Sequence, residues 1–231
     1  MKVQIVTKAV VLSRRNFAEA DRILTVITPE HGKMSLIAKG VRRPKSKLAG
    51  GIELFAVNDL TILPSRNQLQ TMISSRMATN FGNIIKDIQK TMLGYELLKR
   101  LNRYMEDEAG PEYFKMLEST LTGLNDEDLK IGHVELWFTV QLLKITGHSP
   151  NLATDTEGNK LLVDESYLFD FEATAFRQQY AGPYSAKHIK VLRVAYASDS
   201  PLIFKQLKDS SLYLDEMLSL AKNVLQQHIS N

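Results

Sequence analysis

The feature that most constrains this chain is a change in the spacing of its apolar residues near residue 80. Before that point, five β-branched-rich runs, several alternating with a period of two, are separated by turn signals. After it, apolar residues recur at intervals of three and four, which is the helical spacing. This single change predicts an α+β protein with a β domain over residues 1–80 and a mainly α-helical domain over residues 81–231.

Five short antiparallel strands are too few for a β-sandwich but suit a small closed barrel, so we expect an oligonucleotide-binding (OB) fold. The turn signals include the charged stretch Ser13–Asp21, the segment Pro29–Gly32, the basic segment up to Gly51, and Pro64–Asn67. The strand-like runs cover residues 3–12, 22–28, 33–38, 52–63 and 68–75.

The second domain is predicted to contain several helices and one irregular region. The acidic Asp126–Asp128 cluster suits the N-terminus of the third helix, because the helix dipole favours negative charge there. Residues 148–184 are expected to be irregular, with a strand-like piece at 167–171. The first helix is predicted from apolar residues at helical spacing: Ile84, Ile85, Ile88, Met92, Tyr95, Leu98, Leu101 and Met105. It should end near Gly110, with further helices over 112–121, 126–147, 186–196, 201–207 and 211–228.

Composition excludes several classes of protein. The hydrophobic fraction of 44% and the charged fraction of 24% are ordinary for a globular chain of 231 residues. The absence of cysteine excludes disulfide frameworks, thiolate zinc sites and cysteine nucleophiles, and fits a reducing compartment. The apolar stretch at the N-terminus is broken by Thr7 and Lys8, and no apolar run approaches the roughly 20 residues of a membrane helix. We therefore expect a soluble cytoplasmic protein without a signal peptide or membrane contact.

Charge is distributed unevenly along the chain. Residues 1–80 contain 13 Lys/Arg against 5 Asp/Glu, a net charge of +8, whereas residues 81–231 contain 16 against 21, a net charge of −5. A cationic first third fused to an anionic remainder is typical of a protein that meets a polyanion. A solvated surface is the alternative explanation of this asymmetry.

The basic segment Lys39–Lys47 is the strongest candidate for a binding site. It holds five cations in nine residues, and no carboxylate occurs between His31 and Ile52. These cations repel one another unless they bind an anion, and a phosphate backbone is the natural one because each neutralised phosphate releases counterions. Interspersed Gly, Pro and Ser suit the tracking of a strand rather than the reading of base edges. The alternative is a solvated loop.

Other residues of the β domain extend this prediction. Arg14, Arg15 and Arg22 flank the first connection between strands, at the rim of an OB groove. Arg22 has the alternative of pairing with a neighbouring carboxylate, Glu19 or Asp21, which contributes at most about 1 kcal/mol when exposed. Two aromatic side chains, Phe17 and Phe55, are candidates for stacking on bases, although core packing is favoured for Phe55.

No enzyme signature is present. The sequence lacks a Walker loop, a dinucleotide glycine fingerprint and a nucleophile elbow. The acidic residues of Glu106–Glu108 lie at a predicted helix end, and Trp137 is expected in the core. His148 with Asp155 and Glu157 matches no metal-ligand spacing. We predict no catalytic residue, cofactor, metal site or small-molecule substrate.

At this point the chain resembles a known family, the bacterial recombination mediator RecO. The resemblance is strong to about residue 60 and weaker beyond, in Gly94–Leu97, Leu142-Leu143, Gly147 and Pro150–Leu152. The motifs that carry the strong part are Ala9–Leu12, Glu19–Ile23 with Thr25 and Thr28, His31–Lys33, Ala38–Arg43, Lys45–Lys47 and Gly50.

The resemblance implies an OB domain joined to a helical domain and an activity of binding rather than turnover. Such proteins bind single- and double-stranded DNA, anneal complementary strands and, with RecR, help RecA replace the single-strand-binding protein SSB, whose acidic C-terminal tail they dock. RecF is a further expected partner, and the nucleoid the expected location. The predicted DNA-binding residues are Arg14, Arg15, Lys33, Lys39, Arg42, Arg43, Lys45 and Lys47.

The sequence departs from the family at one place. Many members carry a Cys-x-x-Cys-Gly zinc motif where this chain has Thr154 and Glu157 before Gly158, so zinc should be absent. Residues 148–184 must then be held by other contacts, for which Tyr167, Phe169 and Phe171 packing on the helices are candidates. Three other readings stay open at this stage: an RNA-binding OB factor, a protein-interaction adaptor and, more remotely, a hydrolase.

Overall fold

A computed structural model describes residues 3–66, 68–106 and 109–229. The first five strands form a closed barrel in the order β1-β2-β3-β5-β4. All neighbouring pairs are antiparallel except β3 with β5, which run parallel. This architecture confirms the predicted five-stranded OB-type barrel. The strands are β1 Ile5–Phe17, β2 Asp21–Thr28, β3 Gly32–Ala38, β4 Ala56–Leu63 and β5 Leu69–Asn80.

The interior of the barrel is built by the apolar side chains that alternate along its strands. Leu24, Leu36, Leu60 and Ile62 are at most 1% exposed, as expected where one face of each strand points inward. Burial of such side chains contributes roughly 1.5–3 kcal/mol each. The apolar pattern therefore fixes the barrel.

The prediction that Ser13–Asp21 forms a turn is wrong for most of that stretch. β1 continues to Phe17, and the turn is limited to residues 18–20, where Ala18 adopts a φ of 47°. Arg14 and Arg15 pair with Leu24 and Ile23 of β2 in an antiparallel ladder that follows an irregularity after Val11. These polar residues are exposed or half-buried although they pair with buried residues of β2, so they carry none of the apolar alternation that identifies a strand.

Two helices complete this half of the chain, α1 Ile88–Tyr104 and α2 Pro111–Asn125. Only half of the apolar stripe predicted for the first helix is buried. Of its eight residues, four are exposed and four are buried, the buried ones being Ile84, Leu98, Leu101 and Met105. Leu93 and Leu97, which lie outside the predicted set, are buried as well. The helix carries two apolar stripes, and spacing alone does not say which one faces the core. The exposed residues are Ile85, Ile88, Met92 and Tyr95.

The acidic cluster Asp126–Asp128 does not begin the third helix. Asp126 is the C-cap of α2, and α3 starts only at Ile131 after the N-cap Lys130. The Lys90 ammonium donates to the Asp126 carbonyl at 2.6 Å, which satisfies one of the free carbonyls at the end of α2. Two residues of the other acidic cluster, Asp107 and Glu108, lie outside the described residues.

The last third of the chain packs α3 Ile131–Ile145 with α4 Ala186–Ala197 and α5 Leu214–Ile229. Residues 201–205, predicted as a helix, form a short 3-10 helix. Trp137 is 2% exposed, which confirms its place in the core, and its indole donates to the Ser198 carbonyl at 3.1 Å. Gln141 donates to the Ala195 carbonyl at 2.7 Å, so side chains of α3 satisfy the end of α4.

The prediction that residues 148–184 are irregular apart from one strand is wrong. They contain most of a four-stranded sheet in the order β6-β8-β7-β9, here called the small sheet. Its strands are too short to show a clear period of two, which is why the sequence pattern missed three of them. They are β6 Asn151–Asp155, β7 Ser166–Asp170, β8 Ala175–Gln178 and β9 Tyr184–Ser185.

The small sheet is held by aromatic packing and by one aspartate. Tyr167 and Phe169 are buried, as expected, but both pack edge to face on Phe176. The buried carboxylate of Asp155 accepts the backbone N–H groups of Glu157 at 2.9 Å and Asn159 at 2.8 Å. This network closes the turn at the position where relatives are expected to carry cysteines.

Contacts between Cα atoms divide the chain into two compact units, residues 1–127 and 128–231. α1 and α2 thus belong to the same unit as the barrel. The domain boundary predicted near residue 80 marks the transition from strands to helices, and it stays a prediction. Within the described ranges, no helix has the length and apolar character to span a membrane.

Candidate nucleic-acid interface

The structure ties the basic segment to the β1–β2 turn through backbone atoms. Arg42 donates its backbone N–H to the Ala20 carbonyl at 2.9 Å, and its guanidinium donates to the Glu19 carbonyl at 3.1 Å. The Gly40 N–H donates to Asp21 Oδ1 at 2.7 Å. Two stretches that lie about twenty residues apart in sequence therefore meet at one end of the barrel.

The second half of the basic segment is fixed against β5. Ser75 donates its hydroxyl to the Leu48 carbonyl at 3.1 Å. Gly51 is buried so tightly that a Cβ atom there would lie 2.2 Å from the Ser75 Cβ. Between these anchors, Ser46 donates its N–H to the Arg43 carbonyl at 3.0 Å. The backbone of the segment is thus held at both ends while its long side chains extend outward.

Most of the predicted cations at this end are exposed and lack an acidic partner. Only Arg14 forms an ion pair with a described carboxylate, that of Glu53 at 3.3 Å, and it also donates to the Ile52 carbonyl at 3.4 Å. The other six form no salt bridge within the described part of the chain. We call this group the cationic end; it comprises Arg14, Arg15, Lys39, Arg42, Arg43, Lys45 and Lys47.

Lys33 is the one predicted residue that the structure places elsewhere. It lies at the start of β3, about 20 Å along the strand from Lys39 at roughly 3.3 Å per residue. Its ammonium donates to the Met105 carbonyl at 2.8 Å. Its role in binding stays a prediction, separate from that of the cationic end.

Lys33 borders a polar groove that sequence reasoning missed. The groove has a volume of about 470 Å³ and lies against β2, β3 and β5. Thr25 pairs with Ser35 across β2 and β3, and neither is buried. The sequence does contain a signal for this groove, namely polar residues at alternate positions of otherwise apolar strands. Its other polar lining residues are Gln68, Gln70 and Asn102.

The structure gives different environments to the three remaining candidates for binding, Arg22, Phe55 and Phe17. Arg22 donates to the Asn16 side chain at 3.2 Å and forms no ion pair with Glu19 or Asp21. Phe55 is buried against Tyr95, with ring centroids 5.2 Å apart, which confirms that it belongs to the core. Phe17 is 47% exposed at the tip of the β1–β2 hairpin. Phe17 therefore remains available for stacking on a base.

The buried histidine of the second unit, His133, makes structural contacts. In the described ranges, no three His, Asp or Glu side chains gather in a way that could hold a metal ion. His133 is 4% exposed, stacks on Phe204 at 4.6 Å and lies 3.2 Å from the Ser210 hydroxyl. Burial lowers the pKa of His133, as does the charge of Lys130, while the contact with Ser210 opposes them. Burial in the core therefore favours the neutral form of this histidine.

This chain belongs to a class of proteins in which a closed OB-type barrel presents cations suited to contact a polyanion. Two family models match it: that of the recombination protein O N-terminal domain over residues 1–81 and that of its C-terminal domain over residues 91–231. The chain belongs to the recombination protein O (RecO) family of DNA repair proteins.

Curated relatives agree with this assignment. The chain is 29% identical to the DNA repair protein RecO of Dehalococcoides mccartyi over 226 residues, which is 94% of this chain and 88% of that relative. It is 33% identical to the DNA repair protein RecO of Heliobacterium modesticaldum over 147 residues, 63% of this chain and 52% of that relative. The predicted resemblance to the RecO family is thereby confirmed.

Proposed function

We propose that this protein is a recombination mediator that binds single- and double-stranded DNA through the cationic end and anneals complementary strands. One observation carries the proposal: seven cations meet at one end of the barrel, and only Arg14 is paired with a described carboxylate. Unpaired cations gain most from phosphate, because the counterions condensed on DNA are released when it binds.

Annealing follows from the same charge. Two complementary strands repel each other through their phosphates, and a cationic surface that contacts both lowers this repulsion. The backbone of the segment is fixed at Gly40, Arg42 and Gly51, so part of the ordering cost of binding is met before DNA arrives. The exposed Phe17 adds a surface on which a base can stack.

The wider role includes protein partners. Membership of the RecO family supports RecR, RecF and RecA as partners, together with the C-terminal tail of SSB, in the loading of RecA onto SSB-coated single strands. It equally supports action in the cytoplasm, at the nucleoid. We further propose that the chain binds these ligands without catalysing a reaction.

A salt titration of labelled oligonucleotide binding tests the proposal. The combined substitution Arg42→Ala, Arg43→Ala, Lys45→Ala and Lys47→Ala should weaken binding to all sequences alike. It should reduce the slope of log affinity against log salt by about 3, since each contact with a single strand contributes about 0.7. Fluorescence anisotropy at several salt concentrations measures both quantities.

A control with the same charge change separates specific contact from general attraction. Lys8, Arg76, Lys99 and Lys115 are exposed cations of the same unit outside the cationic end. Their fourfold replacement by Ala should leave most of the salt slope intact, and equal losses in both variants would contradict the assignment. Tighter binding of RNA than of DNA of equal length would favour an RNA-binding factor instead.

A further inference from the structure

The second unit contains a concave pocket bordered by three lysines. Lys187 and Lys190 lie one turn apart on α4, and Lys208 follows the 3-10 helix of residues 201–205. The cavity has a volume of about 370 Å³ and is also lined by Gln206 and Tyr213. All three lysines are exposed at its rim.

The charge around this pocket is unbalanced. None of the three lysines forms a salt bridge within the described residues, and Asp209 is the one acidic residue that lines the cavity. α4 itself contains Lys187, Lys190 and Arg193 and no Asp or Glu. Neighbouring ammonium groups repel one another, so the free pocket favours an anion. This local excess is hidden in the sequence because the second unit as a whole is acidic.

The lysines are carried by elements that are well anchored. Ser185 and His188 form a capping box at the start of α4, and the His188 ring packs edge to face on Tyr213 with centroids 4.7 Å apart. At the other end, Trp137 and Gln141 of α3 donate to carbonyls at the end of α4. The helix therefore presents Lys187 and Lys190 on one face in a fixed spacing.

We propose that this lysine pocket binds phosphodiester groups of a nucleic-acid strand, as a second contact site located in the second unit. The inference rests on the proposed function, since it gives the same ligand class a second place to bind. Lysine ammonium groups act as point charges for phosphate, and the side chains of Gln206 and Tyr213 add hydrogen-bond donors. A chain with two phosphate sites can contact two strands, or two stretches of one strand.

Lysine footprinting tests the site in the intact protein. The chain is acetylated with and without a thymidine oligonucleotide at low salt, and the modified lysines are quantified by mass spectrometry. We expect the oligonucleotide to reduce the reactivity of Lys187, Lys190 and Lys208 severalfold. Lys130 and Lys160, exposed lysines of the same unit, should remain unchanged.

The same samples separate failure of this inference from failure of the proposed function, because Lys39, Lys45 and Lys47 report on the cationic end. Protection there without protection of the pocket overturns the second site alone, and protection at neither place overturns both. Parallel samples contain polyglutamate or inorganic phosphate. Pocket protection by polyglutamate but not by the oligonucleotide would identify an acidic-protein site, and protection by phosphate alone a small-anion site; either result overturns the inference.

A matched pair of variants gives the quantitative test. Combined Lys187→Ala, Lys190→Ala and Lys208→Ala should reduce the salt slope of oligonucleotide binding by up to about 2, at roughly 0.7 per phosphate on a single strand. The control replaces Lys115, Lys130 and Lys160, which removes the same charge from exposed positions elsewhere. Circular dichroism verifies that both variants are folded. Equal slopes for the two variants would refute the site.

Discussion

The cationic end of the barrel and the small sheet use an aspartate in the same way, to opposite effect. At the cationic end, Asp21 accepts the N–H of Gly40 and so holds a segment whose side chains stay open to solvent. In the small sheet, Asp155 accepts N–H groups from Glu157 and Asn159 and closes a compact turn. The difference teaches that the same acceptor of backbone amides can either hold a segment of exposed cations in place or close a compact turn, depending on the side chains around it.

Removing the Asp155 carboxylate tests its role in the small sheet and should have the largest effect on stability. Asp155→Ala removes the acceptor of two part-buried backbone amides from a side chain that is only 6% exposed. We expect a loss of about 3 kcal/mol in the free energy of unfolding, because hydrogen bonds to charged groups contribute roughly 1.5–3 kcal/mol each. Urea unfolding followed by circular dichroism measures it. Glu157→Ala, on an exposed residue of the same turn, is the control, and a loss as large as that of Asp155→Ala would contradict the role of Asp155.

The anchoring of the basic segment on β5 is tested by two adjacent glycines. Gly51→Ala places a Cβ atom 2.2 Å from that of Ser75, whereas a Cβ atom at Gly50 has nothing within 4 Å. Overpacking at Gly51 should destabilise the protein by about 2 kcal/mol and weaken oligonucleotide binding by displacing the cations. Gly50→Ala should change stability by less than about 0.5 kcal/mol. Thermal unfolding and anisotropy of both variants give the comparison, and similar behaviour would show that the segment is not fixed there.

The two functions of Asp21, acceptor and charge, can be separated by two substitutions. Asp21→Ala removes the acceptor for Gly40 and should cost about 1 kcal/mol of stability. Asp21→Asn keeps an oxygen acceptor but removes one negative charge beside the cations. It should therefore tighten oligonucleotide binding about twofold at low salt, or roughly 0.5 kcal/mol. Binding isotherms of the two variants decide the matter: weaker binding by Asp21→Asn would mean that the charge itself is required.

The smallest expected effect is a pH dependence that arises from two histidines of the second unit. Burial lowers the pKa of His133 and of His188 below the ordinary histidine value of 6.5. Below about that pH the unfolded chain binds protons that the folded chain does not, so stability is lost as pH falls through this range. His133→Gln should reduce the difference in unfolding free energy between about pH 7.5 and about pH 5.5. The exposed His31→Gln should leave the difference unchanged, and an equal reduction would contradict the assignment.

The barrel was predictable because its strands alternate apolar residues around a single interior, as Leu24, Leu36 and Leu60 show. The extension of β1 was not, since Ser13–Phe17 pairs with β2 through mostly polar, exposed residues that show no apolar alternation. The small sheet was not predictable for a similar reason: its strands are short, β9 having two residues, and the contact of Phe176 with Tyr184 follows no period of a regular strand.

The candidate site was predictable in composition but not in geometry. A run of cations without a carboxylate marks Lys39–Lys47 in any reading of the chain. The hydrogen bonds that join Arg42 and Gly40 to the β1–β2 turn involve backbone atoms or an aspartate nineteen residues away, and no spacing rule reveals them. Lys33 lies in the same carboxylate-free stretch of sequence as this run, but it is at the far end of β3, because an extended strand separates positions that are close in the chain.

The position of the one tryptophan has a practical consequence. Its indole donates to the carbonyl of Ser198, directly after the helix that carries Lys187 and Lys190. Intrinsic tryptophan fluorescence therefore comes from the second unit alone, and it needs no added label. When an unlabelled oligonucleotide is added, a change in tryptophan fluorescence therefore reports on binding near α4. The barrel contributes no tryptophan fluorescence.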